Sequence, residues 1–201
     1  MNLFSPLQDI FGKTYDKVNQ TAAQCTLCDL HKERSRVVFG TGPVPSHVML
    51  IGEAPGEQED LQGLPFVGRA GQLISKILES VNISRETDIY ITNIVKCRPP
   101  ENRTPTTLEA DTCNPYLQAQ IRLVRPKIIL LAGAPSVKTV LKMDEPISQL
   151  RGKWFTLPDT EISVMPIFHP SYLLRNPSKE PGSPKWLTWQ DMKEVRIALD
   201  L

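Results

Sequence analysis

The sequence predicts an α/β protein: a three-layer α/β/α sandwich around a central four-stranded, mainly parallel sheet. Two observations carry that prediction. Four short apolar runs, 47–51, 89–95, 127–132 and 162–168, have strand length and strand composition. Each leads through a polar or Gly/Pro-bearing loop into a stretch whose apolar residues recur at helical spacing. Strands alternating with helices favour a parallel sheet with both faces covered. At 201 residues the chain suffices for one full hydrophobic core, so 1–201 reads as a single domain.

Taken in order, residues 3–22 place Leu3, Leu7, Ile10, Phe11, Tyr15 and Val18 on an amphipathic helix, so that 1–24 leads into a cysteine pair. Residues 29–46 are polar and Pro-rich, with Gly40, Gly42, Pro43 and Pro45 as turn signals. The first strand, 47–51, enters a Gly- and Pro-rich loop, and a helix follows over about 70–81, with apolar positions 73, 74, 77, 78 and 81. The second strand, 89–95, ends in the loop 96–100. Thr106 then caps a helix over 107–124, with Glu109 placed to close a capping box. The third strand, 127–132, turns through 133–136 into a short helix, 136–142. Residues 144–160 read as a loop with room for a hairpin. The fourth strand, 162–168, is followed by His169-Pro170-Ser171, a Pro-rich loop at 176–184 and a last helix at about 185–199.

Composition narrows the class. Hydrophobic content of 40% and charged content of 22% suit an ordinary soluble globule, and no apolar run approaches the roughly 18 residues of a membrane span. The N-terminus lacks the basic start and apolar core of a signal peptide, so a cytoplasmic, monomeric protein with no membrane partner is expected. A net charge of +1 does not announce a nucleic-acid binder. Any basic face must come from distribution, and most arginines, Arg34 and Arg36 among them, read as solvated surface charges.

The four cysteines are Cys25, Cys28, Cys97 and Cys113: a C-x-x-C pair, a gap of 68 residues, and two more separated by 15. In an intracellular chain, four thiols suggest a metal centre more than disulfides. Zinc sites often use two C-x-x-C pairs, and here the second pair is split. Iron–sulfur clusters accept dispersed cysteines. Spacing alone leaves cluster, zinc and no metal open. Pro99 and Pro115, each two residues past a cysteine, are expected to keep nearby backbone out of regular structure.

A parallel sheet gathers all its post-strand loops on one edge, where ligands of α/β folds bind. That edge would receive Glu53 and Phe66 after the first strand, Asn93 near the end of the second, and His169 after the fourth. The first loop is no phosphate cradle. It lacks the Lys and the dinucleotide fingerprint, and Glu53, Glu57, Glu59 and Asp60 would repel an anion. It suits a neutral polar ring. An Asn amide can accept from an imide N3–H and donate to the adjacent O4, which selects uracil over cytosine. Phe66 would stack on the ring. His169 could stabilise charge developing on O2, and Glu53 could orient water and oppose positive charge on the sugar. A base must leave its helix to enter such a pocket, and Leu173 or Leu174, beside Arg175, could fill the vacated stack.

Gly-Glu-Ala-Pro-Gly at 52–56, Pro-Phe-Val-Gly-Arg-Ala-Gly at 65–71, Thr-Asn-Ile-Val-Lys-Cys-Arg-Pro-Pro at 92–100 and His-Pro-Ser at 169–171 resemble the motifs of family 4 uracil-DNA glycosylases. The likeness runs from about Cys25 to the C-terminus. It implies a monofunctional repair glycosylase acting on uracil-containing DNA, single- or double-stranded. It implies a structural [4Fe-4S] cluster on Cys25, Cys28, Cys97 and Cys113, with Glu53 and His169 catalytic. It places Gly52, Ala54, Glu59, Phe66, Asn93 and His169 around the base, Glu59 near C5 where a thymine methyl would clash. Ser171, Leu173 and Arg175 fall on the DNA, Leu173 as the wedge. Ala54 stands where that family often has Gly, and either leaves the backbone N–H available. A related branch binds uracil-DNA covalently through a His in an inserted Arg-rich loop, and the stretch 141–154 has neither the insertion nor a His. The competing readings are a non-catalytic binding module of the same fold, a glycosylase for hypoxanthine or xanthine, and a zinc protein.

Overall fold

The computed structural model describes residues 10–200. Four strands, β1 (Val48–Gly52), β2 (Ile89–Asn93), β3 (Ile128–Ala132) and β5 (Ser163–Ile167), form the parallel sheet the sequence predicts. A fifth, β4 (Phe155–Thr156), adds an antiparallel edge, giving the order β2-β1-β3-β5-β4. The sheet is therefore five-stranded rather than four-stranded. The extra strand is the hairpin for which 144–160 had room, two residues too short to show a period-2 pattern.

Every residue of β1, β2 and β3 is buried, as a sheet covered on both faces requires. Alternate side chains enter separate cores. Met49, Ile51, Ile129 and Leu131 face α4 (Thr107–Val124) and α5 (Ala134–Leu141), meeting Leu117, Ile121 and Val137. Val48, Leu50, Leu130 and Ile167 face α3 (Arg69–Glu79) and α8 (Pro184–Leu199), meeting Ile74, Leu78, Met192 and Val195. A third cluster seats α1 (Tyr15–Ala23) on α4 through Val18, Ala22, Tyr116 and Ala119.

Several boundaries differ from the sequence pattern. The predicted N-terminal helix is a 3-10 turn, Ile10–Gly12, followed by α1, while positions 3–9 lie outside the described residues. Within the expected loop 53–68 a short helix forms, α2 (Glu57–Gln62), whose start is closed by Glu59 reaching back to accept the Gly56 N–H. Asp60 on α2 is buried and accepts the backbone N–H of Ser35 and of Arg36, which ties down the polar connection. Helix α4 starts where predicted: Thr106 Oγ1 accepts from Glu109 N, and Glu109 accepts from Thr106 N. Pro115, expected to keep the backbone irregular, lies inside α4. An interior proline costs a helix about 3 kcal/mol, and the long buried face of α4, from Ala110 to Val124, outweighs it. A four-residue helix, α6 (Ile147–Leu150), precedes β4, and α7 (Pro170–Arg175) follows β5. No described helix is long and apolar enough to cross a membrane.

Helix α8 is pinned by charge as well as by its apolar face. Asp191, buried, accepts from Arg151 Nε at 2.8 Å and forms an ion pair with Arg151 Nη2. Removing one partner of a buried pair leaves the other uncompensated, so Arg151→Ala should lower the unfolding free energy by about 3 kcal/mol in urea titrations. A loss below about 1 kcal/mol would show that Asp191 finds another partner or water.

Candidate active site

The parallel register sets Gly52 directly beside Asn93 at the C-terminal edge of the sheet. A β-carbon at position 52 would stand 2.4 Å from Asn93 Oδ1 and 2.5 Å from Phe66 Cζ, closer than atoms tolerate. Position 52 is bare because an amide and an aromatic ring close over the strand end there. They form one side of a cavity of about 260 Å³, whose walls also include Glu53, Glu59 and His169.

Asn93 is 1% exposed, yet its Oδ1 and Nδ2 have no hydrogen-bond partner; no other buried side-chain N or O among the described residues is left so. An unpaired buried polar group costs free energy and calls for an explanation. Its surroundings sharpen the contrast. Thr92 Oγ1 donates to the Phe39 carbonyl at 2.7 Å. Gln120 Nε2 donates to the same carbonyl and to Tyr90 Oη, which bonds Tyr15 Oη at 2.8 Å. Lys96, 2% exposed, donates to Thr92 Oγ1 at 2.8 Å and to the Asn93 carbonyl at 2.5 Å. The backbone of Asn93 is held in the ladder and by Lys96, while its amide faces the cavity, open to a partner offering one donor and one acceptor.

The loop after β1 supplies a carboxylate and the ring. Glu53 lines the cavity half-buried, and its carboxylate has no hydrogen-bond or ion-pair partner among the described residues. Glu59 is engaged differently. Its Oε1 accepts from Val67 N at 2.9 Å and Gly68 N at 2.8 Å, and its Oε2 from Gly56 N at 3.1 Å. It is a rigid wall rather than a free acid. Phe66, 6% exposed, has φ of 54°, a left-handed backbone that costs a bulky residue roughly 1–3 kcal/mol.

His169 caps α7. Its Nδ1 accepts the Ser171 N–H at 3.2 Å and lies 2.6 Å from Ser171 Oγ. An accepting Nδ1 leaves the ring proton on Nε2, which makes no hydrogen bond among the described residues. Burial pushes the imidazole down to about 4, Arg175 adds to the effect, and Glu59 opposes it. The ring is therefore a neutral N–H donor at ordinary pH. Its centroid lies 6.0 Å from that of Phe66.

The predicted residues thus divide. Glu53, Ala54, Glu59, Phe66, Asn93, His169 and Ser171 line one cavity. Gly52 lies beneath it as the space that Asn93 and Phe66 occupy, and Arg175, exposed at the end of α7, stands outside its lining. Leu173, expected on the DNA, is 0% exposed here, because the helical turn of α7 directs it inward as the helix packs on α3. Tyr172, at 38%, and Arg175 are the exposed side chains of that turn, with Leu174 half-buried. Pro99, Asn102 and Arg103 complete the cavity wall and were not anticipated. They follow β2, so the strand-end rule that found Asn93 applies to them too; the cysteine at 97 drew the reading of that loop to metal binding. Arg103 is held at the rim by Glu109, at 2.8 and 2.7 Å.

On the far side of the 93–103 segment, Cys25, Cys28, Cys97 and Cys113 all line one small cavity of about 20 Å³, with Lys96 and Arg34 in its wall. Arg34, read as a solvated surface charge, donates to Cys97 Sγ at 3.1 Å. Burial raises the thiols of Cys28 and Cys97 and pushes Cys113 up to about 12. No three Cys, His, Asp or Glu side chains among the described residues are disposed to hold a single metal ion.

Residues 39–193 match the family model of the uracil DNA glycosylase superfamily. The chain is 44% identical over 172 residues to a type-4 uracil-DNA glycosylase of Thermotoga maritima, covering 81% of this chain and 84% of that protein. It is 37% identical over 171 residues to a type-4 uracil-DNA glycosylase of Archaeoglobus fulgidus, covering 82% and 85%. A type-5 uracil-DNA glycosylase of Pyrobaculum aerophilum is 32% identical over 116 residues, about half of each chain.

Two measurements check this geometry. In an NMR titration the His169 ring should protonate with a midpoint near 4 rather than the ordinary 6.5. The native state then binds this proton more weakly than the unfolded chain does. Its contribution to stability is complete above about 6.5 and is lost as pH falls from there toward 4. Gly52→Ala should fold and yet displace Asn93 or Phe66, weakening binding of a small ring at the cavity by about tenfold or more. Unchanged binding would mean that the strand end has room to spare.

Proposed function

This chain belongs to the uracil-DNA glycosylase superfamily, and from that premise we propose that it excises uracil from DNA by hydrolysing the N-glycosidic bond, leaving an abasic site. The observation that carries this reading is the buried, unpartnered amide of Asn93. Uracil offers it an N3–H donor beside an O4 acceptor, the complement of Oδ1 and Nδ2. Cytosine presents the reverse pattern and is mismatched by the amide in the orientation it has here, with Oδ1 against the end of β1.

The remaining roles follow from position. Phe66 provides a face for the extruded base. Glu59, fixed by three backbone N–H groups, is a wall that does not yield, which supports its assignment to excluding the thymine methyl. His169, neutral with its proton on Nε2, donates toward O2 as negative charge gathers on the departing base, and carries no second, acidic proton at ordinary pH. Glu53, with no protein partner, is free to orient water and to oppose positive charge on the sugar. Ala54 offers backbone at the base and Ser171 fixes the His169 ring, while Arg175 is placed to meet a phosphate. The protein acts as a monomer on DNA in the cytoplasm.

The four cysteines fit a [4Fe-4S] cluster. An all-thiol donor set selects iron–sulfur or zinc. Thiols that share a cavity without gathering as a single-ion site suit a cluster that spreads its ligands better than one tetrahedral zinc with bonds of about 2.3 Å. Burial favours the protonated Cys113 thiol, and a metal held here would supply the positive charge that favours the thiolate. A cluster held by these cysteines would be structural, joining the C-x-x-C pair to the segment that runs on into the base cavity.

The test is cleavage of a labelled oligonucleotide bearing one uracil, single-stranded and opposite G or A, followed by mild alkali, with thymine as control. Breaks should appear at uracil only. They should fall by at least about a hundredfold in Glu53→Ala and in Asn93→Ala, with the visible absorption of the cluster retained. A brown, folded protein that binds the uracil strand without cleaving it would overturn the enzymatic reading. Cys97→Ala should lose colour and stability together; a colourless wild-type protein containing zinc would overturn the cluster.

A further inference from the structure

We propose that Arg85 is a positioning residue of the base cavity, holding the Pro65–Phe66 backbone in the conformation that lays the Phe66 ring against bound uracil. The inference rests on the reading that Phe66 stacks on the base.

Phe66 does not hold its left-handed φ of 54° by preference. Neighbours on both sides impose it. Upstream, the Arg85 guanidinium forks across two consecutive carbonyls: Nη1 donates to Phe66 O at 2.5 Å and Nη2 donates to Pro65 O. Nη1 also donates to Ser75 Oγ on α3 at 3.2 Å, which ties the fork to a rigid element. Downstream, the Glu59 carboxylate takes the N–H groups of Val67 and Gly68. Beneath, Gly71 leaves room that a β-carbon would remove, since it would stand 1.8 Å from the Phe66 carbonyl oxygen. The peptides around Phe66 are thus clamped between a cation on their carbonyls and an anion on their N–H groups.

Arg85 itself is half-buried, does not line the base cavity and forms no salt bridge among the described residues. A half-buried guanidinium bound only to neutral acceptors, two carbonyls and a hydroxyl, is an unusual use of charge. Its three acceptors all serve the Phe66 turn and its junction with α3. Lysine, whose three donors share one nitrogen, cannot bridge both carbonyls with the same planar fork.

The test is a double-mutant cycle on the full-length, cluster-loaded protein. Competitive inhibition by free uracil reports the stacked base, affinity for an oligonucleotide with an abasic site reports the rest of the DNA contact, and the thermal midpoint reports folding. F66A should weaken inhibition by uracil about tenfold or more. R85A should weaken it by a similar factor and R85K by less, while affinity for abasic DNA stays within about twofold. In the F66A background, R85A should change uracil inhibition by less than about twofold, because the ring it positions is gone. If R85A does not fold, R85Q and R85K carry the comparison. Loss of uracil inhibition by F66A together with no effect of the Arg85 variants, or an equal effect in both backgrounds, would overturn this inference alone. An F66A variant still inhibited normally by uracil would overturn the stacking reading and this inference with it.

Discussion

At the end of β1 the space a β-carbon would take is filled by two other side chains, the amide of Asn93 and the ring of Phe66. The parallel register of β1 and β2 puts Gly52 beside Asn93, and the loop after β1 returns Phe66 to the same point. A polar edge-reader and an apolar face can meet at one strand end only if the residue between them has no side chain. That steric constraint fixes where the cavity lies. Glu53 follows Gly52 directly, and His169 arrives from the same edge because β5 runs parallel to β1 through β3. The fold supplies the edge, and the missing β-carbon turns it into a site.

The segment 92–97 then does two jobs within six residues. Thr92 and Asn93 belong to the base side, Cys97 to the thiol cavity, and Lys96 reaches between them. Buried polar groups around it are paired in a chain from Tyr15 through Tyr90 and Gln120 to Thr92 and Lys96. Such a network resists change because breaking any member strands another in a dry interior. The backbone of Asn93 thereby gains rigidity from the protein, while its side chain keeps all its hydrogen-bonding capacity for a ligand. Cys97 continues into Pro99, Asn102 and Arg103 of the cavity wall, and Glu109 of the Cys113 helix holds Arg103 in place. A metal centre on these thiols would brace the wall of the base cavity without touching the chemistry.

Much of this was legible in the sequence, and the parts that were not share a cause. Parallel strands announced themselves as apolar runs, and Thr106 with Glu109 announced the start of α4. The convergence of Glu53, Phe66, Asn93 and His169 followed from topology alone. What escaped were facts that need a third dimension. Glu59 looked like one acid among several, but its three backbone partners come from both ends of the loop. Leu173 looked like an apolar side chain beside a basic one, and only the packing of α7 on α3 shows it turned inward. Arg85 carried no motif, since the carbonyls it holds lie about twenty positions away. Strand β4 was too short for a pattern, and Pro115 was overruled by a buried helix face.

The distribution of charge explains why these side chains and not others suit the reaction. Breaking a glycosidic bond to uracil sends negative charge onto the base and leaves positive charge on the sugar. A protonated histidine would attract the first but would also bind a product anion tightly and oppose the second. Burial and Arg175 remove that option by keeping the His169 ring neutral, and Ser171 commits its proton to Nε2. The cation at the rim, Arg103, is already neutralised by Glu109. The free carboxylate, Glu53, then stands as the cavity's acid without a protein partner, available for the sugar in the proposed reaction, because the other acid in the wall, Glu59, is satisfied by backbone N–H groups. A neutral donor for the departing base and one negative charge for the sugar is the division the transition state asks for. It arises here because every other ionised group at the cavity wall has been given a partner within the protein.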